Sequence, residues 1–204
     1  MKTELYNKIL GTNFELLFKK KGYTFFTKGE YNLNIIGVRS ENLNKITNKF
    51  DDYLVLIYNT RCKGHMCIYP ITTEPGIYYM NKPMNPKGSA IMVPGQYRGC
   101  WKIGKHKGKY DALVQCKPIK VYRDNIRNQV YDLAPEKIDE GLFGINIHKS
   151  SDYRSPKYVD KFSAGCQVFQ NVGDFKKFIA LCKKQKDNFG NSFTYTLLNE
   201  RELS

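Results

Sequence analysis

The chain of 204 residues carries 33 Lys and Arg against 19 Asp and Glu, a formal net charge of +14 at pH 7. Its length suits one domain with at most a short addition, and 15 Tyr with 12 Phe supply more apolar ring surface than a disordered chain would carry. A charge of this size excludes indifference to polyanions: nucleic acid, anionic membrane and anionic cell wall all attract it over long range, weakened by salt.

In chain order, Leu5, Ile9, Leu10, Phe14 and Leu17 recur at helical spacing and predict one amphipathic helix over residues 3 to 20, stopping near Lys19-Lys20-Lys21-Gly22. Strand-like runs follow at residues 31–38, 53–58, 66–71, 76–80, 90–93, 112–116, 119–122, 143–148 and 193–198, separated by Gly, Pro and Asn. Residues 82–109 read as a surface loop, with Tyr97, Arg98, Trp101 and His106 as candidates for a lid. A second helix is expected near the end, where Val172, Phe175, Phe178, Ile179 and Cys182 form an apolar stripe between Asp174 and Gly190. Many short strands at close spacing predict a mainly β fold, a sandwich or barrel. Nowhere do eighteen apolar residues run together, and the first residues hold no apolar core of a leader, so cytoplasmic synthesis without signal peptide or membrane span is expected.

Six cysteines with no C-x-x-C pair point to free thiols made in a reducing compartment. Cys62, His65 and Cys67 put three zinc-capable side chains within six residues, but no second knuckle accompanies them, and no metal is expected. Cys182, on the helical stripe, reads as a core thiol. Cys166 differs, because Ser163-Ala164-Gly165 before it offer little bulk to bury it. A thiol becomes a strong nucleophile only when ionised, and an imidazole placed beside it can take its proton. His148 ends the alternating run Phe143, Ile145, Ile147 and should point away from the face those residues bury. Cys166 and His148 are therefore the candidate nucleophile and base, with Cys166 the first thiol expected to meet an alkylating reagent. The amides of Gly165 and Cys166 are candidates for an oxyanion hole.

The interval from His148 across residues 149 to 162 to Ser163-Ala164-Gly165-Cys166 resembles the L,D-transpeptidase signature, a His followed by about fourteen residues and Ser/Thr-x-Gly-Cys. Upstream, Thr72-Thr73-Glu74-Pro75-Gly76-Ile77-Tyr78-Tyr79 is similar to that family's T-P-x-G-x-[FY] segment, and Gly144 to His148 to its histidine-bearing strand. The likeness covers residues 50–204, which it makes an L,D-transpeptidase-like β-sandwich or barrel with a helix after the cysteine; residues 1–49 become a helical extension packed on it. The resemblance implies cofactor-free acyl transfer on peptidoglycan stem peptides through a Cys166 thioester. It also implies that a backbone carbonyl or a hydroxyl, Ser150 or Ser163 here, orients His148. Arg154, with Arg98, Trp101 and Tyr97, is a candidate for gripping substrate carboxylates, sugar or peptide. The chain departs from the family at Ala164, where His is common, at Lys149, where Gly is common, and at Gln167 and Val168 after the cysteine.

Water as acceptor would make this a peptidase and a second stem's amine a cross-linking transpeptidase; hydrolysis is the favoured expectation. The expected partners are bacterial peptidoglycan and the anionic cell wall, reached by a bacteriophage-type delivery that needs no leader. The competing class is a phage structural or polyanion-binding protein that keeps the fold. Lysines are scattered in short runs, and no nucleic-acid-binding module is recognisable, which weighs against DNA or RNA as partner.

Overall fold

The computed structural model describes residues 2–41, 45–128 and 130–203. The expected N-terminal helix is two helices, α1 (Lys2–Gly11) and α2 (Phe14–Lys21). Thr12 turns its hydroxyl back to the Lys8 carbonyl at 2.7 Å, and Asn13 caps α2 by accepting the Leu16 N–H at 3.0 Å. The break lets both apolar stripes, Leu5 and Ile9 with Phe14, Leu17 and Phe18, pack on one patch made by Ile36, Val38, Tyr53, Val55 and Leu198.

The core is a closed eight-stranded barrel plus a small three-stranded sheet. The strands are β1 (Asn34–Arg39), β2 (Asp52–Asn59), β3 (Gly64–Thr72), β4 (Ser89–Met92), β5 (Gly95–His106), β6 (Tyr110–Gln115), β7 (Ile119–Asp124), β8 (Ile138–Gly141), β9 (Ile147–Lys149), β10 (Gln167–Phe169) and β11 (Phe193–Asn199). Around the barrel the order is β1-β11-β5-β6-β9-β10-β3-β2, and the second sheet is β4-β7-β8. Closure leaves the barrel no unpaired edge. Because β1 sits between β2 and β11, the chain before residue 50 supplies a barrel strand as well as the two packed helices.

Three segments differ from the sequence expectation, the run at 143–148 among them, which is strand only from Ile147. Residues 76–80 are not a strand: Pro75-Gly76 leads into the short helix α3 (Ile77–Asn81). Residues 82–109 are not an open loop: besides the expected strand at 90–93, which is β4, they hold the whole of β5, whose ladder with β6 runs from Trp101↔Gln115 to His106↔Tyr110. The late helix α4 (Val172–Phe189) forms where its stripe predicts, capped by the Asn171 side chain on the Gly173 and Asp174 N–H groups. Phe175, Phe178, Ile179 and Cys182 enter the main core beside Phe169 and Ile147. Among the described residues no helix is long and apolar enough to cross a membrane.

Candidate active site

The cysteine and histidine arrive on neighbouring strands. β9 and β10 run parallel, with Gln167 opposite Ile147 and Val168 opposite His148. Side chains alternate along a strand, so Ile147, Gln167 and Phe169 share one face while His148 and Val168 share the other, and Cys166, one residue before β10, packs in the Val168 cluster. The first face is fully buried in the core. The second opens on a cavity of about 500 Å³ lined by both His148 and Cys166.

The turn before Cys166 is built by Ser163 and Gly165. The Ser163 hydroxyl donates to the Cys166 carbonyl at 2.8 Å and accepts the Gly165 N–H at 3.1 Å. Gly165 has φ +124°, and a Cβ there would stand 2.4 Å from the Ala90 carbonyl oxygen of β4, so glycine is required for both conformation and space. The Thr72–Tyr79 segment docks on the same turn: the Gly76 N–H donates to the Ser163 carbonyl at 2.9 Å, and Thr72 pairs with Val168. The two stretches that carry the resemblance, some ninety residues apart, thus meet at the cysteine.

His148 is 6% exposed. Its Nδ1 lies 2.8 Å from the Lys149 carbonyl, which can only accept, so Nδ1 carries the proton and Nε2 carries the lone pair. Tyr110 Oη lies 3.5 Å from the same Nδ1. Burial, then the neighbouring His106 and Lys107, hold the imidazole far below its ordinary range, at about 3, against the opposing pull of the Lys149 carbonyl. Cys166 Sγ accepts the Asn146 N–H at 3.4 Å and lies 3.5 Å from the Gly144 carbonyl. Burial pushes this thiol up, opposed by the Asn146 amide and by Lys107. The resting pair is therefore a neutral thiol and a neutral imidazole. No hydrogen bond joins the His148 ring to Sγ among the described residues; unliganded catalytic contacts are often this loose.

Several expected roles move. The Lys149 carbonyl orients His148; Ser163 is spent on the turn, and the Ser150 hydroxyl donates to the Gln170 carbonyl at 3.0 Å. Gly165 N–H is committed to Ser163, which leaves the Cys166 amide, with no partner among the described residues, as the backbone donor at the nucleophile. None of the four substrate-contact candidates lines the cavity. Trp101 is fully buried with its indole N–H on the Ile145 carbonyl at 2.8 Å, and Tyr97 packs edge-on against it with its hydroxyl on the Val93 carbonyl. Arg98 and Arg154 are exposed elsewhere. At the zinc-like stretch, His65 stacks on Tyr58 and bonds the Thr60 hydroxyl, and no metal-holding group of His, Cys, Asp or Glu occurs among the described residues.

The cavity is completed by residues the sequence reading passed over. Lys107, Arg123 and Lys161 line it, and no carboxylate does so among the described residues. Arg123 is tied to Asp139 at 3.2 Å and lies over the Phe143 ring, while Lys161 lies over Tyr78. His106, expected only as a lid candidate in the 82–109 loop, is 7% exposed and stacks on His148 with ring centroids 4.0 Å apart. Asn146 stands two residues before His148 and so on its face of β9, a signal present in the sequence. No family model, curated protein or solved structure matches this chain.

Proposed function

We propose that this chain is a cysteine-dependent acyl-transfer enzyme of L,D-transpeptidase type, acting on peptidoglycan stem peptides and releasing its acyl group mainly to water. The observation that carries the reading is the placement of Cys166 and His148 on one sheet face in one cavity, with the basic nitrogen of the histidine left free. With both groups neutral at rest, the base acts during attack: His148 Nε2 takes the thiol proton as Sγ bonds to the scissile carbonyl carbon and the carbonyl π pair moves to oxygen. Collapse of the tetrahedral intermediate expels the amine, which leaves with the proton held on Nε2. Water then attacks the thioester, giving its proton to the same nitrogen, and the departing thiolate recovers it.

The charge of the cavity favours water over an amine acceptor. Three cations without a lining carboxylate attract the free carboxylates of a stem peptide as acyl donor and repel the ammonium of a second stem. The test is incubation with defined muropeptides and identification of products by mass, wild type beside Cys166→Ala. Shortened stems from wild type alone support the proposal; cross-linked dimers would reverse the choice of acceptor, and equal activity in Cys166→Ala would end the enzymatic reading.

A further inference from the structure

The expected oxyanion hole is short of a donor. Gly165 N–H is held by the Ser163 hydroxyl and Asn146 N–H by Sγ itself, which leaves one backbone amide, that of Cys166, at the reacting carbon. Sites of this kind are most effective when two or more fixed donors face the developing charge. A second donor is present in the imidazole stacked on the base.

The hydrogen bonds around His106 fix its tautomer. The Gln115 backbone N–H donates to Asn146 Oδ1 at 3.0 Å, so this side chain's oxygen is identified by its partner. Asn146 Nδ2 therefore faces His106 Nδ1, at 3.1 Å, and as an amide NH₂ it can only donate. Nδ1 of His106 is the acceptor, and its proton resides on Nε2. That nitrogen has no partner among the described residues, is not sealed from solvent, and belongs to a residue lining the cavity. His148 has the opposite arrangement, with Nδ1 donating to the Lys149 carbonyl and Nε2 bare. The two stacked rings thus present one base and one N–H donor.

We propose that His106 is a second catalytic residue, whose neutral imidazole donates Nε2–H to the acyl oxygen as it becomes an oxyanion; the proposal rests on the reading of Cys166 as the nucleophile. No proton changes hands at His106. As Sγ bonds to carbon and the π pair moves to oxygen, the Cys166 and His106 N–H groups hydrogen-bond the new charge; when the intermediate collapses the pair returns and both bonds weaken. His106 stays neutral since a proton on Nδ1 would displace the Asn146 contact and place a second charge beside Lys107, and burial acts in the same direction.

Two substitutions separate this role from a packing role. In His106→Asn the shorter amide reaches the Nδ1 position and can accept from Asn146, but the Nε2 donor is gone. His106→Gln reaches the Nε2 position with an N–H and gives up the Asn146 contact. Turnover is measured on a defined muropeptide and on a nitrophenyl ester, and alkylation of Cys166 by iodoacetamide is followed by peptide mass, since alkylation forms no oxyanion. The expected result is a loss of about 10²-fold in kcat for His106→Asn with KM and alkylation rate little changed, and turnover near wild type for His106→Gln. Gln as the more damaging change, or parallel loss of turnover and alkylation, would overturn the proposal and leave His106 as a support for Asn146. If His106→Asn does not fold, loss of turnover in folded His106→Gln overturns it equally. Wild-type turnover of the ester without the muropeptide would refute the substrate class while the His106 comparison stands; turnover of neither would refute both.

Discussion

Gly165→Ala is the sharpest single perturbation of this site. The new Cβ would stand 2.4 Å from the Ala90 carbonyl oxygen, where ordinary contact begins at 3.4 Å, so the two backbones must part by about 1 Å. Neither yields easily: Ala90 is 7% exposed in β4 and paired with Arg123 of β7, and the Gly165 turn is tied to Ser163. A side chain at φ +124° adds conformational strain of about 1–3 kcal/mol, and the forced separation costs about 1–3 kcal/mol more. The expected loss of stability is about 2–6 kcal/mol by urea unfolding followed by circular dichroism. In any fraction that folds, a shift of about 1 Å at the residue before the nucleophile should lower turnover about 10²-fold. Gly190→Ala is the matched control: φ is +85° and ψ 171° there, also a glycine conformation, but no atom lies within 4 Å, so only the strain of about 1–3 kcal/mol is expected. Equal losses for the two variants, with turnover unchanged in Gly165→Ala, would refute the account of the turn.

Three further outcomes follow from the ionisation states. His148 titrates near 3 when folded against 6.5 unfolded, so the unfolded chain holds the extra proton between those values; His148 costs stability as pH falls from 6.5 to 3, by up to about 5 kcal/mol, and the difference in pH profile between wild type and His148→Gln in urea unfolding should show that limb. Glu74, 15% exposed, is pushed up to about 8 by burial and by the Asp52 carboxylate, against Arg39 and Tyr131. Here the folded chain holds the extra proton, so stability present below pH 4.5 is lost as pH rises through 8, and Glu74→Gln should flatten that decline; an unchanged slope would show that Glu74 is ionised throughout. Because burial raises the Cys166 thiol, exposed Cys62 should be alkylated before it at neutral pH, the reverse of the sequence expectation; labelling of Cys166 first would reveal a preformed thiolate.

Much of the barrel was legible because its buried strands are short apolar runs set off by Gly, Pro and Asn, and α4 because its stripe runs through a helix of eighteen residues. The failures have local causes. β5 reads GQYRGCWKIGKH, with three glycines and three cations; it is held by ladders to β11 and β6 and by the buried Trp101, which no propensity encodes. α3 has five residues, too few for a helical period to register, and its start is set by Gly76 bonded to a turn ninety residues away. β10 has three, and is a strand because β9 and β3 flank it.

The site divides along the same line. Cys166 and His148 could be singled out because they sit at adjacent strands in fixed sequence relation, so their spacing is itself a structural constraint. His106 comes from β5 and owes its position to the order β5-β6-β9, which the sequence does not display. The cations follow suit: Arg154 lies in the interval between His148 and Cys166 yet is exposed and does not line the cavity, whereas Arg123 reaches it from β7 through the second sheet. Proximity in sequence picked out two residues that meet in one cavity, but not what surrounds them. Those surroundings decide the ionisation state. Burial, with a second imidazole and Lys107 beside it, opposes charging His148, and without that charge a Cys166 thiolate has no imidazolium partner. On the proposed reading, the reactive form arises together with the new carbon–sulfur bond, when charge passes to the acyl oxygen and the neighbouring N–H groups can meet it.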